Sequence, residues 1–325
     1  MKDRLDPRRP GEFDLIARYF TRPVSRAVLG VGDDCALLRV ADGIQLAVSS
    51  DMLVEGRHFL ATVDPERLGH KALAVNLSDL AACGAQPLAF TLSLALPRME
   101  EAFLDGFARG MLRLADAHGC ELIGGDTTQG PLAICIGIFG EVPAGQALLR
   151  SGARVGDQIW VSGTLGDARL ALEVFRGSVR LAGAALDAVR PALESPQPRV
   201  ALGLALRGVA SSAIDVSDGL CGDLGHLLDR SAVAAHIDAD AVPRSSVLRS
   251  LAVPLQRRFS LGGGDDYELL FTAPRAMAER VAAAGHAAQV PLTCIGEIRE
   301  GAGLQLADAV GRNIAGDFAG FDHFA

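Results

Sequence analysis

Leu29-Gly30-Val31-Gly32-Asp33-Asp34-Cys35-Ala36 sets two adjacent carboxylates beside two glycines at the end of an apolar turn. Neighbouring acids repel, so side-by-side carboxylates need solvent or a cation to absorb their charge. The same device returns in Ser49-Ser50-Asp51, Asn76-Leu77-Ser78-Asp79, Gly124-Gly125-Asp126, Asp215-Val216-Ser217-Asp218 and Gly263-Gly264-Asp265-Asp266. Between these acids, strand-like and helix-like segments mix without strict alternation, which makes the fold α+β. The acids recur at no fixed period, so the chain is not a repeat array.

Outward from that turn, Glu12–Phe20 has apolar residues at helical spacing and predicts a first helix. Two strands are expected after the turn, Ala36–Val40 and Gln45–Ser49, joined through Asp42-Gly43, the second running into Ser50-Asp51. Asp64-Pro65-Glu66 reads as an N-cap, a first-turn proline and a first-turn acid. The helix it opens runs to Cys83 before Gly84, and it is apolar enough to be buried. Asn76 and Asp79 stand one turn apart on it, and a carboxylate in such a helix needs a partner. Leu88–Leu96, Glu121–Ile123 and Leu132–Val142 predict strands, with an amphipathic helix over Glu100–His118.

Gly145–Gly156, with Arg150 and Arg154, reads as a linker, dividing the chain into domains 1–148 and 149–325. Beyond it, strands are expected at Gln158–Ser162, Ser212–Val216, Ala234–Ile237, Tyr267–Thr272 and Leu292–Ile298. Helices are expected at Asp167–Arg176, Arg199–Arg207, Leu220–Asp229 and Arg275–Ala284.

Composition narrows the function. A length of 325 residues, 49% hydrophobic and 22% charged, suits a folded protein of two domains. The net charge of -8 argues against a broad nucleic-acid surface. Met1–Pro10 lacks the apolar core of a secretory signal, and the longest apolar runs are too short to span a bilayer. A soluble cytoplasmic protein is expected. The 6 cysteines form no CxxC pair and read as reduced core residues. Lys2 and Lys71 are the only lysines, so phosphate charge would fall to arginines, metal ions and backbone N–H groups.

Acids at strand ends, flanked by glycines, suit Mg²⁺-bound phosphates. The metal takes oxygen ligands, a few carboxylates among them, and glycine lets backbone N–H groups approach the phosphate. Any single Gly-Asp turn could equally be a solvated loop. His58 could be a surface histidine, Arg150 and Arg154 solvated loop residues, and Phe318, Phe321 and Phe324 core packing. The ensemble carries the reading. Other phosphate machinery is missing: there is no P-loop, no dinucleotide fingerprint and no kinase HRD/DFG set.

The segments LGVGDDCAL, KALAVNLSDLAACGA, LIGGDTT, SAIDVSDGL and GGGDDYELLF together closely resemble the thiamine-monophosphate kinase family. That family sits in the superfamily of aminoimidazole-ribonucleotide synthetase. The likeness runs from Gly11 to Phe324, nearly the whole chain. It implies a two-domain fold whose N-terminal domain contributes to a β-barrel shared in a homodimer, with an α/β sandwich as C-terminal domain. It implies ATP as co-substrate, several Mg²⁺ ions, and thiamine phosphate as the phosphoryl acceptor.

Residue by residue, the resemblance assigns Asp34, Ser49, Ser50, Asp51, Asp79, Asp126, Asp215 and Asp218 to magnesium. Of these, Asp34, Asp126, Asp215 and Asp218 would carry the catalytic role. Gly125, Asp126, Arg150 and Ser217 fall at nucleotide contacts, and His58, Asp265 and Phe321 at thiamine phosphate contacts. Three positions depart from the family pattern. Ser50 stands where threonine is usual, Asp265 where glutamate is common, and Phe321 in place of tyrosine or tryptophan. Two other readings remain: a sister ATP-dependent synthetase, and a non-catalytic Mg-nucleotide-binding protein.

Overall fold

The Glu12–Phe20 periodicity yields a short helix α1 (Glu12–Leu15) that widens into a π-helical turn over Ile16–Phe20. The fold is taken from a computed structural model that describes residues 12–314 and Phe318. The chain folds into two compact units. One joins the residues up to Asn76 with Pro87–Glu141; the other joins Leu77–Gln86 with the chain from Val142 onward.

The first unit is built on a four-stranded sheet in the order β1-β4-β2-β3. Its strands are β1 (Ile44–Val54), β2 (Gln86–Leu96), β3 (Glu121–Gln129) and β4 (Ala133–Pro143). β2 and β3 are parallel, which demands a crossover; α3 (Glu101–His118) supplies it and ends on Gly119. α2 (Pro65–Ala82) begins as its sequence dictates: Asp64 Oδ1 accepts the N–H groups of Glu66 (3.0 Å) and Arg67 (3.1 Å). Leu73, Ala74, Val75, Leu77, Leu80 and Ala81 are all buried, as its apolar composition requires. In β4, Ile134, Ile136 and Ile138 are buried and alternate with partly open neighbours.

Three expectations need correcting in this unit. Ala36–Val40 is not a strand: its segment makes one isolated bridge, Leu37 to Leu29, and otherwise runs irregularly. Ser49-Ser50-Asp51 lies inside β1, which is 11 residues long, and not at a strand end. Gly124-Gly125-Asp126 likewise lies inside β3. Glycine looked like a terminator, but backbone pairing to β2 continues through it. A Cβ on Gly125 would sit 1.8 Å from the Leu92 carbonyl oxygen, and its φ of 145° suits glycine alone.

The second unit carries a six-stranded mixed sheet in the order β10-β7-β9-β5-β8-β6. These strands are β5 (Asp157–Ser162), β6 (Ser212–Asp215), β7 (Ala234–Asp238), β8 (Leu269–Pro274), β9 (Leu292–Arg299) and β10 (Gly303–Ala307). Further α-helices accompany the sheet and its loops. α4 (Asp167–Phe175), α6 (Val200–Ala205), α7 (Leu220–Ser231) and α10 (Ala278–Ala288) follow the sequence reading. The sequence reading places no helix at α5 (Gly183–Glu194), α8 (Ser246–Arg249) or α9 (Val253–Gly262). Pro254 lies in the first turn of α9, where a missing N–H costs nothing.

Leu220, Leu224, Leu227 and Leu228 of α7 pack with Ile159, Val161, Ile237 and Ile295 in the main core of this unit, and Phe318 lies against it. Phe321 and Phe324 lie outside the described residues. All 6 cysteines are free, but only Cys120 is buried, and Cys35 and Cys83 are exposed, contrary to the core reading. Among the described residues no helix is long and apolar enough to cross a membrane.

Candidate active site

In the first unit the Gly-Asp-Asp turn stands in solvent. Asp33 and Asp34 are exposed, and the Asp34 N–H donates to Asp33 Oδ1 at 2.8 Å. Asp33 thus caps its own turn, leaving the Asp34 carboxylate as the outward acid. The chain leading to the turn is tied down by Glu121 at the start of β3. Its carboxylate accepts the N–H groups of Ser25 (2.6 Å), Arg26 (3.0 Å) and Ala27 (3.0 Å), and the Ser25 hydroxyl (2.7 Å). Desolvation pushes the Glu121 pKa up, but these donors, led by Ala27 and Ser25, outweigh it and hold the group at about 2.

Strand geometry separates the three candidates of β1. Ser49 and Asp51 share one face with buried Leu53; Ser50 takes the other, where its hydroxyl lies 3.5 Å from Cys135 Sγ of β4. The Asp51 N–H donates to Asn76 Oδ1 (3.1 Å), and Asn76 Nδ2 donates to the Ala72 carbonyl (3.0 Å). Asn76 therefore joins α2 to β1. Asp126 is exposed on β3, and β4 and β2 lie between it and β1. His58 follows β1 and accepts the Val54 N–H on Nδ1 at 3.0 Å, which makes Nε2 the protonated nitrogen of the neutral ring. Its backbone carbonyl takes the ammonium of buried Lys71 at 3.1 Å.

The second unit brings more of its candidates together. The end of α2 belongs to it, and there Ser78 Oγ donates to Asp215 Oδ2 at 2.7 Å, both residues buried. The Cys83 thiol reports the neighbourhood. Although the residue as a whole is exposed, its thiol is desolvated, which pushes its pKa up; the charges of Asp79 and then Asp215 push it further, and Arg150 opposes them. Asp79, Asp215 and Arg150 are thus all near enough to act electrostatically on one thiol, although 136 residues separate the two acids in the chain, counting from 79 to 215.

Past β6, Ser217 and Asp218 are half-buried, and Asp223 in the first turn of α7 is buried. Its Oδ2 accepts the N–H groups of Ser217 (3.0 Å), Asp218 (3.1 Å) and Gly219 (3.1 Å). Desolvation, and next the charge of Asp218, raise the Asp223 pKa to about 7 against the pull of those donors.

The second Asp-Asp pair divides its labour. Asp265 is half-buried, and Tyr267 Oη donates to its Oδ1 at 3.2 Å. Asp266 is buried, accepts the Gly166 N–H at 2.8 Å, and is pushed well above the usual carboxylate range by burial. Beside the pair, buried Glu268 takes a two-pronged hydrogen bond from Arg199, with Nε at 2.7 Å, and the Ser162 hydroxyl at 2.5 Å.

Ser78, Asp223, Glu268 and Arg199 escaped the sequence reading. Asp223 was within its reach, since an acid in a first helical turn is a recognised signal. Arg199 and Glu268 are 69 residues apart and leave no local trace.

Among the described residues no group of three or more His, Cys, Asp or Glu side chains forms a ready-made metal cage. The donors on offer are carboxylates and hydroxyls, oxygen throughout. Such a set fits a hard cation that binds through one or two carboxylates, waters and substrate phosphates.

Sequence profiles agree with this architecture. The AIR synthase related protein N-terminal domain matches residues 32–142, and the corresponding C-terminal domain matches residues 154–308. The chain is therefore a two-domain protein of the AIR synthase related class. Relatives narrow that class. The thiamine-monophosphate kinase of Escherichia coli (strain K12) is 46% identical over 321 residues, covering 97% of this chain and 98% of the relative. The crystal structure of thiamine-monophosphate kinase from Stenotrophomonas maltophilia K279a superimposes with a TM-score of 0.83 at 46% identity, over 90% of this chain and 94% of that one. A solved structure described as AaThiL complexed with AMPPCP and TMP gives a TM-score of 0.77 at 32% identity, over 88% of this chain and 89% of that one. The chain belongs to the thiamine-monophosphate kinase family.

Proposed function

We propose that this protein transfers the γ-phosphoryl group of ATP to thiamine phosphate, giving thiamine diphosphate and ADP. The observation that carries the proposal is 46% identity to a thiamine-monophosphate kinase over nearly the whole of both chains. The likeness to a relative solved with AMPPCP and TMP supports the same pair of substrates.

The acceptor oxygen is already anionic at neutral pH, so the reaction needs no strong general base. Its difficulty is bringing two anions together in line. Arg150 and Ser217 of the second unit, and Gly125 and Asp126 of the first, are the residues we assign to the nucleotide, Arg150 supplying a fixed positive charge for its phosphates. Bound Mg²⁺ would supply the positive charge that offsets the phosphates. In the first unit Asp34, Ser49, Asp51 and Asp126 would hold it, with Ser50 contributing through its backbone because its hydroxyl faces Cys135. In the second unit Asp79, Asp215 and Asp218 would do so, with Ser78 fixing the Asp215 carboxylate. His58 and Asp265 would orient thiamine phosphate, joined by Phe321.

The working form we propose is a cytoplasmic homodimer. Leu46, Val48 and Met52 share one face of the edge strand β1 and are exposed, 63% in the case of Val48. An apolar stripe on a sheet edge is what a second copy would cover.

The test is ADP release with thiamine phosphate, free thiamine and aminoimidazole precursors side by side, with Mg²⁺ present. Release with thiamine phosphate alone is expected. Release only with another acceptor would overturn the assignment, and binding of ATP without turnover would leave a nucleotide-binding protein.

A further inference from the structure

The Ser217-Asp218-Gly219 turn is held from two sides within the second unit. On one side its backbone is laced to the Gly263–Glu268 segment. Asp265 N–H donates to the Ser217 carbonyl, Tyr267 N–H to the Val216 carbonyl, and Val216 N–H to the Glu268 carbonyl, each at 2.8 Å. The approach is so close that a Cβ on Gly264 would lie 2.4 Å from the Ser217 oxygen. Asp265 and Tyr267 hold left-handed φ values of 68° and 50°, a strain that surrounding packing must maintain.

This lacing uses carbonyls of the turn and leaves its N–H groups of residues 217–219 to the other side. There a single oxygen, Asp223 Oδ2, takes all three. A helix N-cap acid normally serves N–H groups inside its own helix. Asp223 works in reverse, reaching out of the first turn of α7 to the residues that precede the helix. Burying a carboxylate is costly, and Asp223 is only 3% exposed with Asp218 as a like-charged neighbour. The bond to the Gly219 N–H serves the start of α7, but those to Ser217 and Asp218 lie outside the helix.

We infer that Asp223 is a positioning residue for phosphoryl transfer, fixing the peptide planes of residues 217–219 and through them the direction of the Asp218 carboxylate. The inference rests on the kinase reading above. Asp223 touches no substrate in this scheme; it acts through Asp218. Its contribution to catalysis should therefore vanish when Asp218 is already disabled, whereas a purely structural contribution should persist.

The experiment is a double-mutant cycle on steady-state ADP release, with Asp223→Ala, Asp223→Asn and Asp218→Asn alone and combined, and near-UV circular dichroism on the same preparations. Asp223→Ala should lower kcat about 100-fold, and Asp223→Asn, which keeps an oxygen acceptor, about tenfold or less. In the Asp218→Asn background either change should cost less than about threefold more. Losses that multiply in full would overturn the inference, as would wild-type kcat in Asp223→Ala. If Asp223→Ala fails to fold, the Asp223→Asn arm of the cycle decides by the same criterion. An unmutated protein that releases no ADP with thiamine phosphate sinks the kinase reading itself, a result distinct from either.

Discussion

Glu121 and Asp223 do the same mechanical task in different places. Each carboxylate gathers three consecutive backbone N–H groups, Ser25 to Ala27 in the first unit and Ser217 to Gly219 in the second. Each thereby holds the chain next to a Gly/Ser-Asp motif. Their titration nevertheless goes opposite ways, down to about 2 for Glu121 and up to about 7 for Asp223. Backbone hydrogen bonding is alike, and the difference lies in the extra Ser25 hydroxyl on Glu121, the neighbouring charge of Asp218 and the water each keeps. Glu121 keeps enough solvent for its donors to win, while Asp223 is buried beside another acid and desolvation wins. The first unit presents exposed acids on a pinned loop, and the second builds its acids into a buried network.

The contrast is most severely tested at Arg199. Replacing it with leucine strands buried Glu268 without its cation and should cost about 3–5 kcal/mol in urea unfolding. Arg113→Leu, which removes an exposed partner of Glu66 in the first unit, should leave the melting temperature unchanged. Equal losses from the two would erase the distinction between the networks.

A smaller effect is expected from the acids themselves. Asp218→Asn should lower kcat by about 100-fold or more with little change in melting temperature. Normal turnover in that variant would remove Asp218 from the mechanism.

The pH dependence of stability separates the units next. Glu121 has a folded pKa below its ordinary 4.5, so its contribution is complete above that value and fades as pH falls toward about 2. The melting temperatures of the protein and its Glu121→Gln variant should differ by a constant amount above pH 4.5 and converge below it. A gap that stays constant through that range would mean the donors do not hold the charged form. The smallest effect belongs to Asp33, exposed and bonded only to its own turn among the described residues. Asp33→Asn should keep kcat within about twofold, and a larger fall would make it a partner of Asp34.

Much of this was legible in order along the chain. The Asp64-Pro65-Glu66 start of α2, its buried run, the Gly119 stop of α3 and the isoleucine alternation of β4 are local signals with local causes. The strand expected at Ala36–Val40 failed because apolar content was present but no neighbouring strand was there to pair with it. The acids of β1 and β3 were expected beyond strand ends because glycine and serine read as punctuation. Ladder pairing across Leu92 and Gly125 overrode that. Phe321, placed by resemblance at the substrate, lies outside the described residues.

The sequence by itself determined which residues could carry charge, that most were oxygen donors, and that short segments would be helix or strand, because these follow from side-chain chemistry and local periodicity. It determined the family as well, through five motifs spread over the chain. Only the tertiary structure decided that Asp79, Asp215 and Arg150 share one neighbourhood, that Ser50 faces away from Ser49 and Asp51, and that Asp223 rather than a solvent shell holds the Asp218 turn. Those outcomes depend on distance between residues remote in the chain and on how much water each keeps, and neither quantity is written in any local stretch.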